Sequence, residues 1–400
     1  MQLFSIGINQ QNQDATPVLQ NNHELATYSL EDVVENAKVM TGWDLVNSPR
    51  YGRVSKKSSC YMLPIEFHAE YHDSTAKTIL GHTIDANQTG EQDIESLLSI
   101  LMQNKNMAPF ISKRLIQRFT TSNPSPAYIK RVADIFVNDG NGVRGNLKAV
   151  IKAILLDPQA REGAKVDELL NSSVRLLSMF DVHPTHSWKF YNTKVTQDKP
   201  MYWISTDSIF NQAVVSAPDV FNFYDASYAP NDSNFTNNNL VAPELQIQTS
   251  RTLIRYSNAL VSILGYDKYY ITHIDRNGYK TMDEYMSSEL KKRSSSSSVL
   301  IYVDLTSVYN TFEQALDGDI DNDFENLSDT TKLSQALDAL VKYLDIRMTG
   351  GRLPQDYKVA LIAELAKIDG YDKRLPMRAR KIIVNAIRAI ATSPYYMVIQ

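Results

Sequence analysis

Apolar residues in this chain recur at three- and four-residue spacing, and prolines and glycines cut that pattern into segments of helix length. Ile94, Leu97, Leu98 and Leu101 share one helical face, as do Phe110, Ile111, Leu115, Ile116 and Phe119. Ile129, Val132, Ala133 and Phe136 form a third stripe, and Leu147, Val150, Ile151, Ile154 and Leu155 a fourth. SNPSP, Ser122 to Pro126, separates the second stripe from the third. Pro124 and Pro126 each disfavour the α region at the residue before them, so the preceding helix is expected to stop near Thr121. Ser125 is then a natural N-cap, and Pro126 falls at the first helical position, where its missing N–H costs nothing. DGNGVRG, Asp139 to Gly145, makes the next corner and Asp157-Pro158 the one after. Connectors this short make consecutive helices packing neighbours.

Ser29 opens an earlier helix, with Leu30, Val33, Val34, Ala37 and Met40 on one face and Gly42 at its end. Between Tyr61 and Ile84 the period changes to two: Ile65, Phe67, Ala69 and Tyr71 alternate with Glu66, His68, Glu70 and His72. TILGHTI, from Thr78, is read as the partner strand of that run, giving one small hairpin. Val182 to Ser250 is rich in aromatic residues and punctuated by Pro200, Pro218, Pro230 and Pro243, the pattern of an ordered meander wrapping the helical body, with the lining of a groove as the second reading. Arg251 to Leu264 is helical, and KKRSSSSS at Lys291 to Ser298 marks the edge of an insertion. Helices are expected again over Lys332 to Met348, Gln355 to Ile368 and Met377 to Thr392. The expected fold is mainly α: a multi-helix globular bundle with short corners, one small β-hairpin and a long aromatic, proline-rich meander. Residues 1–264 form the main body in this reading, 265–330 an insertion, and 331–400 C-terminal helices packed on the main body.

Composition narrows the function classes. With 43% hydrophobic and 22% charged residues the 400-residue chain has the make-up of a folded protein. A net charge of -4 gives no electrostatic reason to expect nucleic acid, which needs clustered Lys and Arg. Cys60 is the single cysteine, so neither an intrachain disulfide nor a cysteine-based zinc site is encoded. No apolar run reaches transmembrane length. The first residues, MQLFSIGINQ, carry neither the basic nor the apolar region of a signal peptide. Leu3, Phe4 and Ile6 before Gly7 read instead as the last turn of a helix, too short to be stable alone: either the turn packs tightly on the body or the chain is the downstream part of a longer protein.

RLIQRFTTSNPSPAYIKRVADIF and GVRGNLKAVIKAILLDPQAR together resemble the large bacterial family called domain of unknown function 1800. MQLFSIG followed by SLEDVVENAKVMTGW is similar to that family's helix, glycine, loop and helix ending in Thr-Gly-Trp, and HDSTAKTILG to its His-Asp, Lys, Leu-Gly pattern. VFNFYDASYAP, LVAPELQI and SPYYMVIQ complete the likeness in the right order, with residues 266–330 matching nothing specific. The resemblance implies an exported protein, periplasmic or extracellular, whose N-terminal half is missing from this chain, often encoded beside a sulfatase-like partner. It carries over no activity, cofactor or catalytic residue.

His72, Asp73 and Lys77 belong to the family pattern and are therefore the first candidates for a site. HAEYHD also invites a metal reading, since His68 and His72 flank Glu70. Four positions along a strand span roughly 13 Å, too far for one ion. A turn in which Asp73 bonds nearby backbone N–H groups is the first reading. Arg114, Arg118 and Arg131, around the SNPSP corner, are candidates for binding an anionic partner, against solvated helix faces as the alternative. Asp317, Asp319, Asp321 and Asp323 occupy alternate positions of a calcium-loop template, but Asn322 stands where the template needs glycine and Ser328 where it needs glutamate. An acidic surface loop is the first reading there and calcium the second; no other cofactor is expected.

Overall fold

The computed structural model describes residues 1–45, 63–162, 164–184, 189–190, 193–194, 206–213, 216–264, 301–317, 330–368 and 375–399. Cys60, Asp319, Asp321, Asp323 and the serine run at 294–298 lie outside the described residues. The chain is mainly helical, with fourteen α-helices and six two-stranded β-ladders among the described residues. It divides into two compact units, residues 1–164 and 165–399.

In the first unit, β1 (Leu19–Gln20) and β2 (His23–Glu24) form a short hairpin ahead of α1 (Leu30–Val39). β3 (Trp43–Asp44) pairs antiparallel with β4 (Glu66–Phe67), and β5 (Lys77–Ile79) with β6 (His82–Ile84). Four helices follow: α2 (Gly90–Gln103), α3 (Met107–Phe119), α4 (Pro126–Val137) and α5 (Leu147–Leu156). Their stripes converge as periodicity requires. Leu97, Ile116, Tyr128, Val132, Phe136, Val150 and Ile154 make one buried cluster, which Ile6, Val39, Ile79 and Ile84 join from the N-terminal elements.

The SNPSP corner forms as its residues dictate. α3 ends at Phe119, Ser125 Oγ accepts the Tyr128 N–H at 3.2 Å, and Pro126 is the first residue of α4. At the next corner Gly140, Gly142 and Gly145 all take positive φ, and Asp139 Oδ1 accepts the N–H groups of Asn141 and Val143.

Two expectations need correction. The strand alternation read from Ile65 to Tyr71 stops at Phe67, because Ala69–Tyr71 turn as a 3₁₀-helix. The hairpin lies wholly inside TILGHTI and its flanking Lys77, turning at Leu80 (φ 52°) and Gly81 (φ 77°), both left-handed as a tight two-residue turn demands. The apolar stripe of α1 is also turned away from the core. Asp32 Oδ1 accepts the Leu80 N–H at 2.6 Å and Glu35 Oε2 the Thr78 N–H at 3.3 Å, so hydrogen bonds to the hairpin set the helix's rotation. Leu30, Val33, Val34 and Met40 are left exposed while Val39 is buried.

In the second unit the helices at Leu169–Met179, Ser250–Leu264, Thr306–Leu316, Thr330–Leu344, Gln355–Ala366 and Leu375–Ala391 enclose a core that includes Leu176, Tyr256, Phe312, Leu340, Ile383 and Ile387. Ile301–Asp304 pairs with Asp181–Pro184, and Val398–Ile399 with Lys165–Val166. Val303, Val308, Tyr309 and Phe312 are fully buried, so this part of the stretch read as an insertion belongs to the core. A π-helical turn, Asp345–Thr349, ends at Gly350, and Asp345 gathers it by accepting from Leu353 N at 3.0 Å and Lys358 Nζ at 2.5 Å.

Gly42 carries the tightest backbone constraint near the first unit's ladders. Its φ is +82°, and a Cβ there would sit 2.8 Å from the His68 carbonyl oxygen, a backbone atom with no rotamer to yield. Gly42→Ala is expected to cost about 1–3 kcal/mol, read as a lower urea midpoint with unchanged slope. An unchanged midpoint would contradict this packing.

Candidate functional site: a buried ion cluster around Asp93

Thr41, Gly42 and Trp43 close α1, and each makes a different contact. The Thr41 hydroxyl donates to the Lys38 carbonyl at 2.6 Å and accepts the Asp73 N–H at 2.8 Å. Gly42 O accepts the His68 N–H at 2.8 Å. Trp43 pairs with Phe67, their ring centroids 5.1 Å apart. Phe67 in turn meets the His72 ring edge-on at 5.2 Å and packs where a side chain on Gly90 would be, 2.3 Å from an ideal Cβ. Gly90 is the first residue of α2, so the ring seats that helix directly.

This frame brings His72 and Lys77 onto one carboxylate. His72 Nε2 lies 3.0 Å and Lys77 Nζ 2.7 Å from Asp93 Oδ2. The three side chains are 3%, 1% and 0% exposed. His72 Nδ1 donates to the Thr41 carbonyl at 2.9 Å, since a carbonyl oxygen can only accept. Lys77 Nζ also donates to the carbonyls of Asp73 at 2.6 Å and Thr75 at 2.9 Å, which occupies all three of its N–H bonds. Asp93 Oδ1 is buried and makes no hydrogen bond among the described residues, so the carboxylate meets both His72 and Lys77 through Oδ2 alone.

Asp73 stands beside the cluster rather than in it. Its carboxylate accepts from the Thr75 hydroxyl at 2.5 Å and the Thr75 N–H at 2.9 Å, and these bonds hold it below the usual carboxylate range. That is the turn read from the sequence. Of the family-pattern residues, then, His72 and Lys77 converge side chain to side chain, while Asp73 offers Lys77 its carbonyl. Such an arrangement has little to give a substrate. A general base needs a reachable lone pair and a nucleophilic lysine an undonated amine, and both nitrogens of His72 and all three donors of Lys77 are already committed. What the cluster does supply is a crosslink between the end of α1, the turn before β5, and α2.

Of the corner's arginines, Arg114 and Arg118 stand on α3 and Arg131 on α4. Arg131 donates through Nε (2.7 Å) and a terminal nitrogen (2.9 Å) to the two oxygens of Asp157, a bidentate pair. Arg114 bonds Gln117 Oε1 at 3.1 Å and lies 5.4 Å from the Phe110 ring centre. Arg118 is exposed on the last turn of α3. The Arg131 guanidinium holds the Asp157 carboxyl below its usual range, against the opposing effect of burial. Of the calcium-template residues, Asp317 is described: it ends the Thr306–Leu316 helix in a left-handed conformation, 3.6 Å from Lys332 Nζ. Among the described residues, no group of three or more His, Cys, Asp or Glu side chains could hold a metal ion.

A family model described as "Protein of unknown function (DUF1800)" matches residues 1–398. The chain belongs to that family. No curated protein and no solved structure matches it. The resemblance read from the corner and Thr-Gly-Trp motifs therefore holds over nearly the whole chain, and those motifs can be given physical roles.

Several family-like stretches converge on a second polar cluster that sequence reasoning missed, in the second unit. Lys165 and Glu244, the latter from LVAPELQI, form a buried ion pair. Glu168 accepts from Gln212 Nε2 at 2.8 Å and from the Tyr224 hydroxyl. Arg175 lies 4.3 Å from the ring centre of Tyr396, from SPYYMVIQ, and 3.3 Å from Asp167 Oδ2. Burial pushes the Asp167 carboxyl up, opposed by Arg175.

Removing Asp93 leaves the buried Lys77 ammonium without an anion and His72 Nε2 without its partner. Asp93→Ala is expected to destabilise the protein by about 3–5 kcal/mol, measured by urea unfolding; a loss below about 1 kcal/mol would show that the cluster is not a crosslink. Asp157 gives a pH signature. Its folded pKa lies below the unfolded value, so its contribution is complete above the unfolded pKa and fades as pH falls through the folded one. Between about pH 5 and pH 2 the melting temperature of Asp157→Asn should therefore fall less steeply than that of the parent. Parallel curves would contradict the assignment.

Proposed function

We propose that this protein is a structural or binding module of the cell envelope or extracellular space, built as a helical body with short corners. The observation that carries this reading is the Asp93 cluster. The most reactive-looking residues of the family pattern are buried and hydrogen-bonded to one another, in a geometry suited to holding segments together. The same holds at the SNPSP corner, where Ser125 Oγ donates to the amide oxygen of Gln159 at 2.5 Å, a group that takes no proton from it. The extracytoplasmic setting and a sulfatase-like partner come from the family resemblance and form part of the proposal.

The alternative is a hydrolase of a cell-surface polymer. Incubated with glycans, carboxylic esters and sulfate esters, the purified chain is expected to release no product above the buffer control. Turnover that disappears in Asp73→Ala, with the circular dichroism spectrum unchanged, would overturn the binding reading. Asp73 is the discriminating position because its side chain stands outside the buried cluster and its replacement leaves the Lys77–Asp93 pair in place.

A further inference from the structure

The SNPSP corner does more than turn the chain. Where α3 ends and α4 begins, the corner and the 3₁₀ turn Pro158–Arg161 enclose an open hollow of about 170 Å³. At roughly 30 Å³ per water it holds about five or six waters, the room of one six-membered sugar ring.

Its wall alternates hydrogen-bonding character over a small apolar floor. Thr121 contributes a hydroxyl held only by long bonds, 3.3 Å from Asn123 N and 3.5 Å from the Ala164 carbonyl. Gln159 lines the hollow with its amide oxygen taken by Ser125, and its NH₂ group has no protein partner among the described residues. Glu162 adds an exposed carboxylate, likewise unpaired among the described residues. Asn123, Pro124, Ser125 and Tyr128 complete the lining, and the Tyr128 hydroxyl is already committed to the Ile154 carbonyl at 2.7 Å. The hollow therefore offers an acceptor, a donor and a group that can be either, beside carbon surface.

That combination suits a ring carrying neighbouring hydroxyls, each able to donate and accept, with C–H faces to lay against apolar surface. Charge narrows it further. The one ionised lining group is Glu162, and the nearby guanidinium of Arg131 is neutralised on Asp157. An acidic sugar would meet a like charge; a neutral or amine-bearing one would not.

We propose that the hollow at the α3–α4 corner is a binding subsite for one neutral or amine-bearing sugar ring of a glycan. The proposal rests on the binding-module reading and names its ligand class. The corner is preorganised to receive such a ring, because Ser125 is fixed by both the α4 cap and Gln159, and Asp157 by Arg131 and by the Gln159 N–H at 2.9 Å.

The test uses the whole chain and saturation-transfer NMR with glucose-, glucosamine- and glucuronate-containing oligosaccharides, alongside the free monosaccharides and cosedimentation with insoluble glycan. The expected result is binding of the neutral or amino sugars, weaker binding of the glucuronate set, and retention on the polymer. Gln159→Ala and Thr121→Val should each weaken binding roughly fivefold or more while the melting temperature stays near that of the parent. Binding that is indifferent to both substitutions would overturn this subsite while leaving the binding-module reading intact. Absence of binding across all three sugar classes would also overturn it, as would a preference for glucuronate. Cleavage of a bound glycan would instead overturn the binding-module reading itself.

Discussion

The first unit depends on one carboxylate that cannot be left alone. A buried charge is tolerated only when it is paired and hydrogen-bonded, and Asp93 meets that condition by drawing His72 and Lys77 onto Oδ2. Those three residues come from a turn, a strand and a helix that share no local reason to meet. Once they do, the positions around them have little freedom. Phe67 must sit against both His72 and Gly90, Gly42 must allow the His68 carbonyl close, and Thr41 must hold the backbone of Asp73. Each replacement of a small residue here meets either a ring or a carbonyl.

The second unit solves a similar problem separately. Lys165 with Glu244 and Asp345 with Lys358 are buried or nearly so, and each ties a loop or turn to a helix-rich core. Such pairs add little net stability compared with apolar contacts of the same volume, but losing one partner is costly. Their value lies in specifying which loop returns to which place. That suits segments such as LVAPELQI, where prolines and 3₁₀ turns leave few backbone hydrogen bonds to do the positioning.

Local chemistry was legible in the sequence, and long-range partnership was not. The start of α4 follows from Ser125 and Pro126 alone, because a cap and an N1 proline act within one turn. The Thr75 bonds of Asp73 are equally local. By contrast, alternation from Ile65 to Tyr71 suggested a strand that ends at Phe67, since β4 pairs with β3 some twenty residues earlier and, after one further bond from His68 to Gly42, the chain turns into the 3₁₀-helix Ala69–Tyr71. The stripe on α1 pointed to a buried face, but Asp32 and Glu35 bind the hairpin and rotate it outward. Asp93 left one usable trace: it sits one turn before Leu97 and two before Leu101, on the stripe that faces the core. An acid at such a position requires a cation, and Lys77 supplies it.

If the His72, Lys77 and Asp93 group acts as a crosslink, Lys77 and Asp93 must be energetically coupled. The coupling is read from a double-mutant cycle of Lys77→Met and Asp93→Asn, followed by urea unfolding of the whole chain. Residues locked in one buried pair should show a coupling energy of about 1–3 kcal/mol, the double variant being more stable than the sum of the single losses allows. Losses that simply add, leaving no coupling between the two positions, would contradict the account.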